Sequence, residues 1–384
     1  MAAPLPSGQL DDTTAVPAVA PPRACGSTTW TPQRRGTRVD VAIRGVSRLD
    51  APVSRRAGAG PSDDGHVLLG GIGAALPLDP TSPYTVSAGR LLFDGADTGL
   101  DVEAVARPRF YDLITPEGVP YDKLARLHSD RVLATTVVQT CMRYDESQRC
   151  RFCAIEESLR QGSTVAVKSP ADLAAVAKAA VELDGVTQMV MTTGTSTGRD
   201  RGATHLARCV RAVHEAVPHL PIQVQCEPPA DLAAITDLHE AGATAIGIHV
   251  ESLDDDVRRR WMPGKGSVPL SEYRAAWAEA VRVFGRNRVS TYLLVGLGED
   301  PDELVAGAGE LIAMGVYPFV VPYRPLAGTL AVDVDHAPAP DPLVVAGITA
   351  RVAALLRAAD MRGADQGAGC AACGACSALA AEGA

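Results

Sequence analysis

The chain has 384 residues, 46% of them apolar and only 4% aromatic, so it can form one large α/β domain with appendages or two ordinary domains, with cores built mainly from Ala, Val and Leu. A formal net charge of −9 argues against a general polyanion-binding face, and no nucleic acid partner is expected. No apolar run approaches the roughly 18–20 residues of a membrane span, and the N-terminus lacks the apolar core of a signal peptide, so a cytoplasmic protein without a membrane partner is expected.

Residues 1–30, rich in Ala and Pro, read as a flexible leader in which Cys25 is an incidental thiol. Residues 31–110 read as a small β-rich module, with strand-like runs at 39–43, 66–69 and 90–93 between Gly-, Pro- and Asp-rich turns. Gly70-Gly71-Ile72-Gly73 reads as a turn, because neither a lysine nor a well-placed helix follows it.

Within 111–330 the pattern changes to apolar strands at 132–138, 187–192, 222–225, 245–250, 289–295 and 319–321. These alternate with helices at 169–182, 202–216, 229–241, 271–283 and 301–313. Ser169-Pro170 and Asp300-Pro301 are helix starts, each a capping oxygen followed by proline at the first helical position. Such an α/β order predicts a partial (β/α)6 TIM-like barrel with its chemistry at the carboxyl ends of the strands. Residues 331–384 read as a helical extension ending in a Cys-x2-Cys-x2-Cys tail.

Nine cysteines in a reducing compartment read as ligands sooner than as disulfides, and six fall in two tight groups. The first group, Cys141, Cys150 and Cys153, leaves the end of the first barrel strand together. Thiolates are soft donors for an iron–sulfur cluster or zinc, and a cubane held by three of them keeps one iron open. A structural zinc loop and ordinary core cysteines are the other readings.

This stretch resembles the cluster loop of the radical S-adenosylmethionine (SAM) superfamily. Its Cys-x-Phe-Cys ending fits the family, while the eight residues between Cys141 and Cys150 exceed the family's usual gap. The resemblance implies a [4Fe-4S] cluster on Cys141, Cys150 and Cys153, with SAM chelated on the open iron by its amino and carboxylate groups. It also implies an electron donor such as flavodoxin or ferredoxin, and a 5′-deoxyadenosyl radical that takes hydrogen from a small-molecule substrate.

Thr193, Gly194 and Thr195 sit where such enzymes carry a Gly-rich segment for the SAM amino group, although the acidic residue that often ends it is absent. Arg199-Asp200 and Gly202-Ala203-Thr204-His205 are similar to the corresponding region of lipoyl synthase. Glu227 and Glu251, at the ends of the third and fourth strands, resemble the family's polar contacts to SAM; pairing with an arginine is their other reading. Gly296-Leu297-Gly298-Glu299 is similar to a stretch in which Gly296 and Gly298 would pack near the adenine. The resemblance covers roughly residues 125–325. It is greatest to the biotin synthase and lipoyl synthase group, and within it to biotin-synthase-like proteins encoded near nitrilase-type genes.

The second group, Cys370, Cys373 and Cys376, repeats a ferredoxin-like spacing with small residues between the thiols, and is expected to bind a second iron–sulfur cluster. Cys226, Cys209, another side chain or the substrate would complete it; a zinc knuckle or a disordered cysteine-bearing tail is the alternative. Sulfur insertion is the first expectation for the reaction, ahead of rearrangement or carbon–carbon bond formation. A zinc-stabilised binding protein without turnover is the alternative from another class.

Overall fold

The computed structural model describes residues 37–50 and 67–382; the expected leader at 1–30, with Cys25, lies outside them. The first element is a helix, α1 (Thr37–Arg44), where the alternation of Val39, Val41 and Ile43 predicted a strand. Residues two apart on a helix face nearly opposite ways. Val39 is buried in the main core and Val41 in a separate N-terminal core, so the alternation marks a helix clamped between two apolar bodies. Asp40 and Arg44, 2.7 Å apart at the i,i+4 spacing, support that helix.

Five short strands follow: β1 (Val67–Leu69), β2 (Ile72–Ala74), β3 (Tyr84–Ser87), β4 (Arg90–Phe93) and β5 (Ala96–Ala104). They form an antiparallel sheet of order β2-β1-β5-β4-β3. Gly70 and Gly71, at φ +54° and +78°, make the two-residue turn of the first hairpin, as expected for that Gly-rich run.

The second sheet begins with β6 (Arg126–His128) and β7 (Val132–Thr136), followed by α2 (Glu157–Arg160), α3 (Pro170–Asp184), β8 (Gln188–Thr192) and α4 (Ala203–Ala216). It continues through β9 (Ile222–Gln225), α5 (Ala233–Glu240), β10 (Ala245–Gly247), α6 (Asp255–Trp261), α7 (Pro263–Gly266) and α8 (Leu270–Phe284), and ends with β11 (Val289–Val295), α9 (Pro301–Met314) and β12 (Val316–Pro322). Strand order is β12-β11-β10-β9-β8-β7-β6, with β7 to β12 parallel and consecutive. This is the expected partial barrel of six parallel strands, extended by the antiparallel edge strand β6. Three residues are too few for β6 to show a period in the sequence.

Local chemistry explains where the elements start and stop. Ser169 accepts the Asp172 amide at 3.1 Å, and Asp300 accepts the Asp302 and Glu303 amides at 2.8 and 3.0 Å, so both expected helix caps are made. Strand β10 stops three residues short of the expected 250. Trp277, fully buried on α8, donates its indole N–H to the Ile248 carbonyl at 2.9 Å, taking the acceptor that a longer strand would pair. Beyond the break Glu251 adopts φ +67°, an uncommon conformation for a residue with a side chain, and meets β11 through an isolated bridge to Leu293.

The chain then forms α10 (Leu330–Asp333), α11 (Pro342–Ala358), which packs on α1 and α9, and the single turn α12 (Cys370–Cys373). The Gly369 amide donates to Gln188 at 3.1 Å and the Cys370 amide to Gln223 at 3.3 Å. Gln188 opens β8 and Gln223 is the second residue of β9, so the terminal segment closes the barrel at the amino ends of its strands. Among the described residues no helix is long and apolar enough to cross a membrane.

Docking of this segment leaves no room for a side chain at Gly73, where a Cβ would stand 2.2 Å from the Cys373 carbonyl oxygen. Gly73→Val should therefore cost about 1–3 kcal/mol and raise amide exchange across 369–379. Unchanged exchange there would contradict the docking.

Candidate metal and cofactor site

The loop 141–153 that leaves β7 is fixed by contacts to several other elements. The Gly194 amide donates to the Val138 carbonyl and the Met142 amide to the Thr195 carbonyl, each at 2.8 Å. A Cβ on Gly194 would lie 2.0 Å from the Thr140 oxygen, so its bare backbone lets the loop after β8 lie against the loop after β7. The close neighbour that this glycine admits is therefore the cysteine loop itself. The Arg151 amide donates to Trp261 at 2.7 Å and the Gly264 amide to Gln148 at 2.9 Å, which ties the loop to α6 and α7.

Two ion pairs line the same region. Arg143 grips Glu227 with two parallel bonds of 3.0 and 3.1 Å, and the Thr195 hydroxyl donates to the same carboxylate at 2.8 Å. Lys265 of α7 donates to Glu251 at 2.8 Å. Burial alone would lower the Lys265 ammonium, but Glu251, with Tyr273, Cys150 and Glu227, raises it above its ordinary value. Both carboxylates expected from the sequence are thus held by cations on the chain, one of them the expected arginine.

A cavity of about 470 Å³ opens here, within the range of roughly 300–1,000 Å³ found for ligand sites. Its walls bring together Cys141, Cys150 and Cys153 with Thr193, Gly194, Thr195, Glu227 and Glu251. Gly296 and Gly298 do not line it. At φ +109° and +104° they shape the turn after β11, where Glu299 accepts the Gly296 and Leu297 amides at 2.7 and 2.8 Å.

Burial pushes Cys150 well above its ordinary range and Cys153 up to about 11, against the pull of Lys265. Both thiols therefore stay protonated until a soft cation binds and releases their protons. Among the described residues no three His, Cys, Asp or Glu side chains stand close enough to share one metal ion. Three soft donors from one loop, spread round a cavity with a polar wall opposite, fit an iron–sulfur group that leaves space for a zwitterionic ligand.

Several residues here escaped the sequence reading. Polar side chains recur at alternate positions as Gln223, Gln225 and Glu227, and as His249 and Glu251, the period that points one face of a strand into a barrel. His249 stacks on Tyr292 with centroids 3.9 Å apart, and neither ring nitrogen, though buried, has a hydrogen-bond partner among the described residues. Burial, then Lys265, pushes its imidazole down to about 3, so it is neutral. Cys370, Cys373 and Cys376 line the same cavity. His205 and Cys209 instead meet at 3.6 Å beside the Lys168 carbonyl, where they fasten α4. Lys168 is buried without a carboxylate partner among the described residues; its ammonium donates to Thr136, Thr164 and Gln139 at 2.6, 3.0 and 3.5 Å, and burial lowers it to about 7.

Residues 147–309 match the family model described as the Radical SAM superfamily, a stretch that holds Cys150 and Cys153 but starts after Cys141. The bacteriochlorophyllide c C-7(1)-hydroxylase of Chlorobaculum limnaeum is 28% identical over 129 residues, covering 33% of this chain and 31% of the relative. The mitochondrial lipoyl synthase of Leishmania braziliensis is 27% identical over 175 residues, 44% of this chain and 43% of the relative. The chain thus spans less than half the length of these curated relatives. Among solved structures, methylornithine synthase superposes with a TM-score of 0.45 at 16% identity, over 59% of this chain and 63% of that one.

Two outcomes follow from the geometry. Glu227→Ala leaves Arg143, only 13% exposed, without its carboxylate, and should cost about 3–5 kcal/mol in urea unfolding; a loss below about 1 kcal/mol would mean that the pair does not hold the loop. Lys168 has a folded value below its unfolded 10.5, so the unfolded chain binds more protons between the two and stability rises with pH across that window. Going from about pH 6 to about pH 8.5 should add about 2 kcal/mol, a rise that Lys168→Met should remove.

Proposed function

We propose a reaction for this chain, which is a radical SAM superfamily enzyme: reductive cleavage of SAM at a [4Fe-4S] cluster on Cys141, Cys150 and Cys153, followed by hydrogen abstraction from a small molecule. The observation that carries this reading is that all three thiols of loop 141–153 line one cavity at the carboxyl ends of the parallel strands. When bound, the cluster and SAM supply an electron and a carbon-centred radical.

The chain's own residues position and shield. Gly194 and Thr195 brace the cysteine loop from β8, and the Arg143–Glu227 pair braces it from the end of β9. Charged and hydroxyl groups on the cavity wall, Glu227, Glu251, Lys265 and Thr193, offer partners to the ammonium and carboxylate of SAM. Phe152 and Tyr144, which flank the thiols, help keep water from them. The half-buried Lys265 shares the cavity wall with Cys150, and its positive charge favours the thiolate that metal binding requires.

Sulfur insertion into an unactivated C–H bond is the outcome we favour. The lipoyl synthase relative supports it, as do the three further thiols on the same cavity. An external reductant such as flavodoxin or ferredoxin completes the scheme, in the cytoplasm.

Anaerobic incubation with SAM and dithionite should yield 5′-deoxyadenosine with the wild-type chain. Cys150→Ala should abolish that product while leaving the near-ultraviolet circular dichroism of the fold intact. Undiminished 5′-deoxyadenosine from a folded Cys150→Ala protein would overturn the assignment.

A further inference from the structure

The terminal segment carries three thiols into the barrel from the side opposite the cysteine loop. Cys370 and Cys373 lie one helical turn apart on α12, and Gly374, at φ +68°, reverses the backbone so that Cys376 returns toward them. Gly369 turns the chain at φ +112°, in a space where a Cβ would stand 2.1 Å from the Gln223 side-chain oxygen. None of the three cysteines is in a disulfide, and all reach the cavity that Cys141, Cys150 and Cys153 reach from above.

Polar groups reach the Cys370 sulfur, while Cys373 packs in a small apolar cluster with Val132, Val190 and Ala375. Gln225 donates to the Cys370 sulfur at 3.1 Å, and the Tyr292 hydroxyl lies 2.8 Å from it. Arg324 donates to the Ala375 carbonyl at 2.6 Å, bringing a fixed positive charge to the same turn. Such donors and charges suit a sulfur that carries negative charge. Beside them, the imidazole of His249 stacks on Tyr292 with both nitrogens buried and unpartnered among the described residues. A buried polar group without a partner is costly, and a metal ligand is one of the few roles that removes the cost.

We propose that Cys370, Cys373 and Cys376 hold a second iron–sulfur cluster at the floor of the cavity, and that His249 is its fourth ligand. Of the two other thiols considered from the sequence, Cys209 lies outside the cavity, on α4 against Lys168 and His205. Cys226 borders the cavity, but it stands beyond the carboxyl end of β9 next to Glu227, out of phase with the inward-facing Gln225 and Glu227, and packs in the main core. The inference deepens the proposed reaction by setting the substrate between two metal sites, while its ligands rest on the residues of the floor alone.

Iron, sulfide and zinc counts on anaerobically reconstituted protein test the site. Wild type should hold about eight irons per chain. The Cys370/Cys373/Cys376→Ala and the Cys141/Cys150/Cys153→Ala variants should each hold about four. If wild type and the tail variant both hold about four and the loop variant none, the second site is wrong and the proposed reaction stands. Full iron in the loop variant would count against that reaction instead. One zinc per chain that disappears with the tail thiols would overturn the cluster. Cys→Ser versions, closer in volume, repeat the counts if an Ala variant fails to fold. For His249, pulsed EPR on the reduced loop variant labelled with 15N-histidine should show a nitrogen coupling that His249→Ala abolishes. No coupling in the protein that retains His249 would remove it as a ligand.

Discussion

The arrangement depends on the largely buried pair between Arg143 and Glu227, which ties the cysteine loop by charge to the end of a strand it does not follow. Arg143 belongs to the loop after β7 and Glu227 to the end of β9, two strands away. A buried ion pair adds little net stability, because desolvation offsets much of the attraction, but it is intolerant of misplacement: either charge alone in that setting is strongly unfavourable. A long loop with eight residues between its first two thiols needs such a constraint. Without it, Cys141 would sample many positions relative to Cys150, and the entropy of ordering would fall on metal binding.

The same logic extends to the rest of the wall. Lys265 against Glu251 and the bare backbone of Gly194 against Thr140 are further fixed points, and each comes from a different βα loop. A cavity assembled from several strand ends is rigid where each loop leans on its neighbour. The floor is built on another principle: the terminal segment is held by side chains of residues that open the strands, Gln188 and Gln223, which turn amide groups inward where an apolar barrel would carry Val or Leu.

The sequence showed the barrel well because its strands are apolar runs and its helices carry explicit caps at Ser169 and Asp300. It misread α1, since burial on two opposite faces produces the period of a strand, and it overran β10, since nothing local announces that Trp277 takes the Ile248 carbonyl. The cysteine loop was legible as three thiols at a strand end. That Glu227 and Glu251 carry their own cations, and that Gly296 and Gly298 stand outside the cavity, depends on loops far apart in the chain. His249 was visible only as one polar residue in an alternating strand end. Its meaning came from Tyr292 and Cys370, 43 and 121 positions further on.

The central claim is that loop 141–153 holds a cluster with one iron open to SAM in this cavity. Electron–nuclear double resonance on the reduced protein, with SAM labelled with 15N at its amino group, addresses it most directly. The account predicts a nitrogen hyperfine coupling that appears with labelled SAM and is absent from the Cys141/Cys150/Cys153→Ala protein. A reduced cluster whose spectrum is indifferent to SAM would contradict it.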